Sequence, residues 1–259
     1  GVFDSGIGGL TVVNALAKVL PDEAIYYVGD TARVPYGNKS EKSIQQFSYE
    51  IINWLIQQDC KMIVVACNTV SSIALQELKN QFSLPIIGVI EPVVNHAIIS
   101  SRNSNIGILG TQATIKSDAY QKCIMSINSK INIVSQACPL FVPLVEEGWV
   151  SGKVPLSIAS VYLEKIKNTN VDTVILGCTH YPFLKNVINK VLGNKIQLVD
   201  SGESTAKIVA ALLHHKKLLT DKHQGGIRCF VTDDPKSFDA FAIKFLNRKI
   251  LKTNIIDLF

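Results

Sequence analysis

Short apolar runs alternate with amphipathic stretches along the whole chain. Gly1–Phe3, Ala24–Val28, Met62–Ala66 and Ile86–Ile90 read as strands, and the runs Ile106–Leu109, Ile131–Ala137, Thr173–Leu176, Ile196–Val199 and Ile227–Val231 repeat the pattern. These runs do not alternate polar with apolar residues, which is the signature of strands buried on both faces of a parallel sheet. Between them fall helical stretches: Gly9–Leu20, stopped by Pro21; Ser40–Gln58, with Ile44, Phe47, Ile51 and Leu55 on one face; Val70–Phe82; Ile158–Lys167; Phe183–Leu192; Ser204–Leu218; and Pro235–Leu246. Ser40 is placed to cap the second of these. Glu91-Pro92 is expected to close the strand ending at Ile90. The order strand, helix, strand predicts an α/β fold with mainly parallel sheets flanked by helices.

The sequence also echoes itself. VVACNTVSS (Val64–Ser72) and VILGCTHYP (Val174–Pro182) each run from an apolar strand through a small residue to Cys and polar groups. Gly1–Gly6 likewise resembles Gly107–Thr111. Two similar lobes, each contributing one cysteine from the C-terminal end of a strand, are expected.

Ligands of open α/β sheets bind beyond the carboxyl ends of the strands. Four polar clusters fall there: Asp4-Ser5-Gly6, Pro35-Tyr36-Gly37, Cys67-Asn68-Thr69 and Cys178-Thr179-His180. DSGIGGL places glycines ahead of a helix, where backbone can approach a ligand and anions are favoured. It lacks the spacing of dinucleotide or nucleoside triphosphate loops. A thiol becomes a nucleophile or base when a neighbouring charge or helix start favours its thiolate. Asp4 and His180 are the titratable neighbours available to exchange protons with Cys67 and Cys178. Glu146-Glu147 end a short predicted helix, an unfavourable place for like carboxylates, so a solvated face competes there with burial. Cys60, Cys123 and Cys229 read as small buried hydrophobes, and Cys138 closes the apparent strand Ile131–Ala137.

Composition narrows the classes. The formal net charge of +5 comes from scattered Lys and Arg, densest at His214–Lys217 and Arg248-Lys249; no basic stripe interleaved with aromatics points to nucleic acid. No apolar run approaches the roughly 18 residues that span a bilayer. The six cysteines form no CxxC pair and no zinc-type Cys/His spacing, so no metal site is expected. With no visible leader and no disulfide framework, a reducing cytoplasm is the expectation.

Taken together, DSGIGGLTV, GDTARVPYG, ACNTVSS, EEGW, GCTHYPFL, VDSGEST and VTDDP, in that order, resemble the glutamate racemases of the aspartate/glutamate racemase superfamily over essentially the whole chain. Val70 and Ser72 depart from the alanines common there and touch no catalytic position. The resemblance implies a cofactor-independent enzyme that interconverts L- and D-glutamate and supplies D-glutamate for bacterial peptidoglycan. It implies two α/β lobes, residues 1–91 with 201–259 and residues 92–200, with the site between them, and a homodimer. By position, Cys67 takes the proton from D-glutamate and Cys178 from L-glutamate. Asp4 assists Cys67, and His180, supported by Glu146, assists Cys178. Asp4, Ser5, Pro35, Tyr36, Gly37, Asn68, Thr69, Thr111, Thr179 and His180 line the substrate. From the residues alone, a related racemase acting on aspartate or another amino acid, a thiol hydrolase built on Cys178 and His180, and a non-catalytic amino-acid-binding module all stay open.

Overall fold

The computed structural model describes residues 1–222, 225–246 and 252–258. In chain order the elements are β1 (Val2–Asp4), α1 (Leu10–Val19), β2 (Ala24–Gly29), α2 (Glu41–Gln57), β3 (Ile63–Val65), α3 (Asn68–Ile73), α4 (Leu75–Gln81), β4 (Ile86–Gly88), α5 (Ile90–Ser100), β5 (Asn105–Gly110), α6 (Gln112–Lys116) and α7 (Ala119–Ile127). There follow β6 (Asn132–Ala137), α8 (Phe141–Glu146), α9 (Lys153–Lys167), β7 (Thr173–Gly177), α10 (Lys185–Leu192), β8 (Gln197–Asp200), α11 (Ser201–His215), β9 (Gly226–Val231), α12 (Pro235–Leu246) and β10 (Asn254–Ile255).

The strands form two sheets, ordered β10-β9-β2-β1-β3-β4 and β6-β5-β7-β8. Every pairing is parallel, as the continuous apolar runs require. The order β2-β1-β3-β4 in one sheet matches β6-β5-β7-β8 in the other. The sequence echo is therefore a structural one: β1 corresponds to β5 and β3 to β7. The last strands, β9 and β10, join the first sheet through β2, so the C-terminal part of the chain returns to the N-terminal lobe.

Helix α1 buries Leu10, Val12, Val13, Leu16 and Ala17, and its core continues into that of the second sheet through Leu176, Tyr181 and Leu184. Helix α2 starts where Ser40 accepts a hydrogen bond from the Ser43 N–H at 3.2 Å, and its inward face is Ile44, Ile51, Ile52 and Leu55.

Several expected boundaries move. The stretch Val70–Phe82 is two helices meeting at Ala74, a completely buried residue with φ −111°; the ladder resumes with Leu78 N–H donating to the Ala74 carbonyl at 3.0 Å. Glu91-Pro92 does not close a strand. The strand stops at Gly88, and both residues lie in the first turn of α5, where proline loses no helical bond and a carboxylate meets the positive end of the dipole. The helix expected from Phe183 is a 3₁₀ turn, Tyr181–Leu184, followed by α10. Helix α11 begins at Ser201 rather than Ser204 because the Asp200 side chain caps it, accepting from Gly202 N–H at 3.0 Å. Cys229 and Cys138 are buried, whereas Cys60 and Cys123 are only half-buried. His214 and His215 lie in the last turn of α11; Arg248-Lys249 lies outside the described residues. Among the described residues no helix is long and apolar enough to cross a membrane.

The loop after β2 is fixed by a charge removed from water. Asp30 is completely buried. It accepts from Arg33 Nε at 2.6 Å, from Thr232 Oγ1 at 2.9 Å and from the Tyr36 hydroxyl. Arg33 also pairs with Glu50 at 2.6 Å and lies over the Phe47 ring at 4.0 Å. Asp30→Ala removes three partners at once and leaves their donors buried. The expected cost is about 3–5 kcal/mol, read from urea unfolding; a loss below about 1 kcal/mol would show that this network does not hold the loop.

Candidate functional site

The chemistry collects where β1, β3, β5 and β7 end. Asp4 is the last residue of β1. Cys67 follows β3 as the residue before α3, with Asn68 and Thr69 opening that helix. Thr111 follows β5 and caps α6, its hydroxyl accepting from Thr114 N–H at 3.2 Å. Cys178 follows β7, with Thr179 and His180 leading into the 3₁₀ turn. All of these residues are at most 6% exposed.

The lobes meet tightly enough that glycine is required. A Cβ on Gly8 would lie 2.4 Å from Thr179 Oγ1 and 2.5 Å from His180 Nδ1, and one on Gly37 would lie 2.7 Å from the Thr111 Cβ. The glycine-rich segment thus serves close approach between lobes. Two of its N–H groups turn inward: Gly9 and Gly6 donate to Asp4 Oδ2 at 2.9 and 3.3 Å. Tyr27 fixes the same turn, its hydroxyl donating to the Gly6 carbonyl at 2.6 Å.

A line of polar groups crosses the cleft. The Thr179 hydroxyl donates to Asp4 Oδ1 at 3.2 Å and lies 3.4 Å from His180 Nδ1. That nitrogen is 3.8 Å from Cys178 Sγ, while His180 Nε2 meets Glu146 Oε1 at 2.5 Å. Of the two carboxylates at the end of α8, Glu146 is therefore an ion-pair partner and not a merely solvated group. Cys67 Sγ lies 4.0 Å from Ser5 Oγ. Thr69, Thr111 and Thr114 form a triangle of hydroxyls, 3.0 to 3.4 Å apart. Tyr36 is buried beneath the turn it starts, and Pro35 and Gly37 beside it are half-buried.

Burial and neighbouring charges set the protonation of Cys67, Asp4 and His180. Burial pushes the Cys67 thiol well above its ordinary value, and the Asp4 charge adds to the effect against the pull of Val70 N–H. Burial likewise raises Asp4, opposed by the positive His180 ring and the Gly9 and Gly6 amides. Burial works against a charged His180, but hydrogen bonds to Cys178 and Glu146 and the Glu146 charge outweigh it, holding the ring well above the usual histidine range. Protonated, the ring donates from both nitrogens: from Nε2 to Glu146, and from Nδ1 toward Cys178 and Thr179.

The structure brings Asp4, Glu146, Cys178, Thr179 and His180 together, sets Cys67 beside Ser5 and Thr69 beside Thr111, and packs Gly37 on Thr111, whereas Tyr36 turns its hydroxyl to Asp30. Sequence reading missed Thr114, Tyr120 and Ser201. Thr114 sits one helical turn into α6, and a Thr-x-x-Thr spacing at the predicted strand end was the available signal. Tyr120 and Ser201 reach Asn68 from distant parts of the chain and carry no local signal. Among the described residues no group of three or more His, Cys, Asp or Glu side chains is arranged to hold a metal ion.

Residues 10–209 match the family model described as Asp/Glu/Hydantoin racemase. The chain is 47% identical over 251 residues to a glutamate racemase of Geobacter metallireducens, covering 96% of this chain and 93% of that protein. Among solved structures it resembles a glutamate racemase from Bacillus anthracis, with TM-score 0.96 and 37% identity over 100% of this chain and 97% of that one. It also resembles the Francisella tularensis glutamate racemase crystallised with D-glutamate, with TM-score 0.92 and 40% identity over 100% and 97% of the two chains.

The raised His180 has a consequence for stability. A group protonated more readily when folded than when unfolded adds stability that is whole below its unfolded pKa, about 6.5, and is lost as pH rises through the folded value. The Tm advantage of the parent over His180→Gln is expected to be largest near pH 6 and to shrink toward pH 9. An advantage that grows with pH would refute the charged ring.

Proposed function

The chain belongs to the Asp/Glu/hydantoin racemase family and, within it, to the glutamate racemases; on that premise we propose that it interconverts L- and D-glutamate by proton transfer at the α-carbon between two thiols, Cys67 and Cys178. The carrying observation is their equivalence. Each is buried, each follows the corresponding strand of its sheet, and each has a titratable neighbour across or beside it. The division into lobes, residues 1–91 with 201–259 against 92–200, belongs to the same proposal and rests on the two matched sheets.

In the L-to-D direction a Cys178 thiolate takes the α-proton. The Cα–H bond breaks, an S–H bond forms, and the electron pair stays on the carbon, spread toward the substrate carboxylate. The Cys67 thiol then gives its proton to the opposite face and is left as thiolate. The reverse direction begins with Cys67 as thiolate. One group on each face removes the need for a single base to move or for the carbanion to turn over. Asp4 exchanges protons on the Cys67 side and His180 on the Cys178 side, with Glu146 holding the ring.

The α-proton of an amino acid is weakly acidic, so fixed donors must meet the charge that develops on the carboxylate. Asn68, Thr69 and Thr179 take that part, and Ser5, Pro35, Tyr36, Gly37 and Thr111 complete the pocket. The product serves peptidoglycan synthesis in the cytoplasm, and the enzyme acts as a homodimer without added cofactor.

Cys67→Ser and Cys178→Ser are expected to bind D-glutamate within a few-fold of the parent and to lose racemisation by roughly 10²–10⁴-fold or more. The assay follows optical rotation and α-deuterium incorporation in heavy water. Parent-rate racemisation by either variant rules out the two-thiol mechanism. A trapped acyl intermediate that persists in Cys67→Ser points instead to a single-thiol hydrolase, and faster turnover of aspartate than glutamate reassigns the substrate.

A further inference from the structure

The Asn68 amide can accept two hydrogen bonds on Oδ1 and donate two from Nδ2. Its two ends are treated differently. Oδ1 receives the Tyr120 hydroxyl at 2.5 Å and the Ser201 hydroxyl at 3.3 Å. Nδ2 is buried and, among the described residues, has no hydrogen-bond partner in the protein. Asn68 is 2% exposed, so an unmet donor here is costly unless a ligand meets it.

The two hydroxyls come from elsewhere in the fold. Asn68 opens α3 beside Cys67. Tyr120 belongs to α7 and is completely buried in the core against β5 and β7. Ser201 is the first residue of α11, directly after β8. An amide in the opposite orientation would carry its oxygen where the donor now lies, repelling a carboxylate. Burial holds the Tyr120 phenol far above its ordinary pKa, against the influence of the neighbouring Ser201 hydroxyl, so the phenol remains a donor.

We infer that Tyr120 and Ser201 are positioning residues for the reaction: by occupying Asn68 Oδ1 from the second lobe and the start of α11, they set the amide so that both Nδ2 protons face a substrate carboxylate. The inference rests on the proposed glutamate-binding role of the cleft. It also ties that role to lobe closure, because the amide is oriented only while α7 and α3 are together.

The test is a double-mutant cycle on D-glutamate, with Kd from calorimetry and KM and kcat from racemisation. Tyr120→Phe keeps the ring and removes the donor. It is expected to raise Kd and KM about tenfold or more, and Ser201→Ala less, in keeping with its longer bond. In the Asn68→Ala background, Tyr120→Phe is expected to add less than about twofold, because the group it orients is gone. A purely structural role for Tyr120 would instead multiply through both backgrounds. Tyr120→Phe within about twofold of the parent, or effects that multiply, overturn the inference. If Tyr120→Phe does not fold, Ser201→Ala in the same cycle decides by the same criteria. A parent protein that binds D-glutamate without racemising it overturns the proposed reaction and leaves the binding cycle to judge the inference. A parent that does not bind D-glutamate overturns both.

Discussion

Everything in the cleft is arranged around a carboxylate withdrawn from water. Asp4 ends the first strand completely buried, a position that costs several kcal/mol unless donors surround it. Two backbone N–H groups from its own turn and one hydroxyl from the other lobe supply them. This requirement shapes the glycine-rich segment, which must fold back on Asp4 while leaving no side chain between the lobes. It also fixes Thr179, and through Thr179 the ring of His180. Demand for hydrogen bonds by one buried charge thus brings the two halves of the site to a common geometry.

The matched sheets explain why this is possible with two unrelated acids. Equivalent strands pair in equivalent register, so Cys67 and Cys178 follow β3 and β7 at corresponding positions, and Ser5 and Thr111 follow β1 and β5. The surroundings then diverge. Cys67 lies beside a carboxylate and Ser5, whereas Cys178 lies beside an imidazolium paired with Glu146. Repetition of the fold supplies the symmetry of placement, and local side chains supply the asymmetry of charge.

What could be read in advance follows the range of the interactions involved. The strands, and the thiols at their ends, were legible because continuous apolar runs and the residues just beyond them are local patterns. The capping role of Ser40 was local too. The break at Ala74 was not, because α3 and α4 share one helical periodicity and only packing divides them. Glu91-Pro92 misled because the same dipeptide ends a strand or starts a helix, and here the apolar face of Ile90, Val93, Val94 and Ala97 decides for the helix. Tyr120 and Ser201 were invisible for a simpler reason: they act on Asn68 across separations of 52 and 133 residues. In DSGIGGL the glycines were legible but their purpose was not. The motif suggests an anion cradle, and only the folded turn shows that the Gly6 and Gly9 amides are engaged by Asp4 and that Gly8 makes room for the opposing lobe.

The same burial that makes a thiolate scarce also makes it strong. A thiol whose charged form is disfavoured binds a proton more tightly once ionised, which is what abstraction from a weakly acidic carbon demands. Cys67 stands on this side of the balance, raised by desolvation and by Asp4. In the proposed cycle it gives up that proton only as a carbanion forms on its face, and Asp4, itself raised, is placed to exchange the proton afterwards. Opposite it, His180 is held well above the usual histidine range, against burial, by its hydrogen bonds to Cys178 and Glu146 and by the Glu146 charge, keeping a proton next to Cys178. Cys67, Asp4 and His180 therefore act on one another through charge and hydrogen bonds, with Cys178 in reach of the ring. The exchange of protonation states that racemisation requires is a rearrangement within that set, in a cleft where every member is shielded from water.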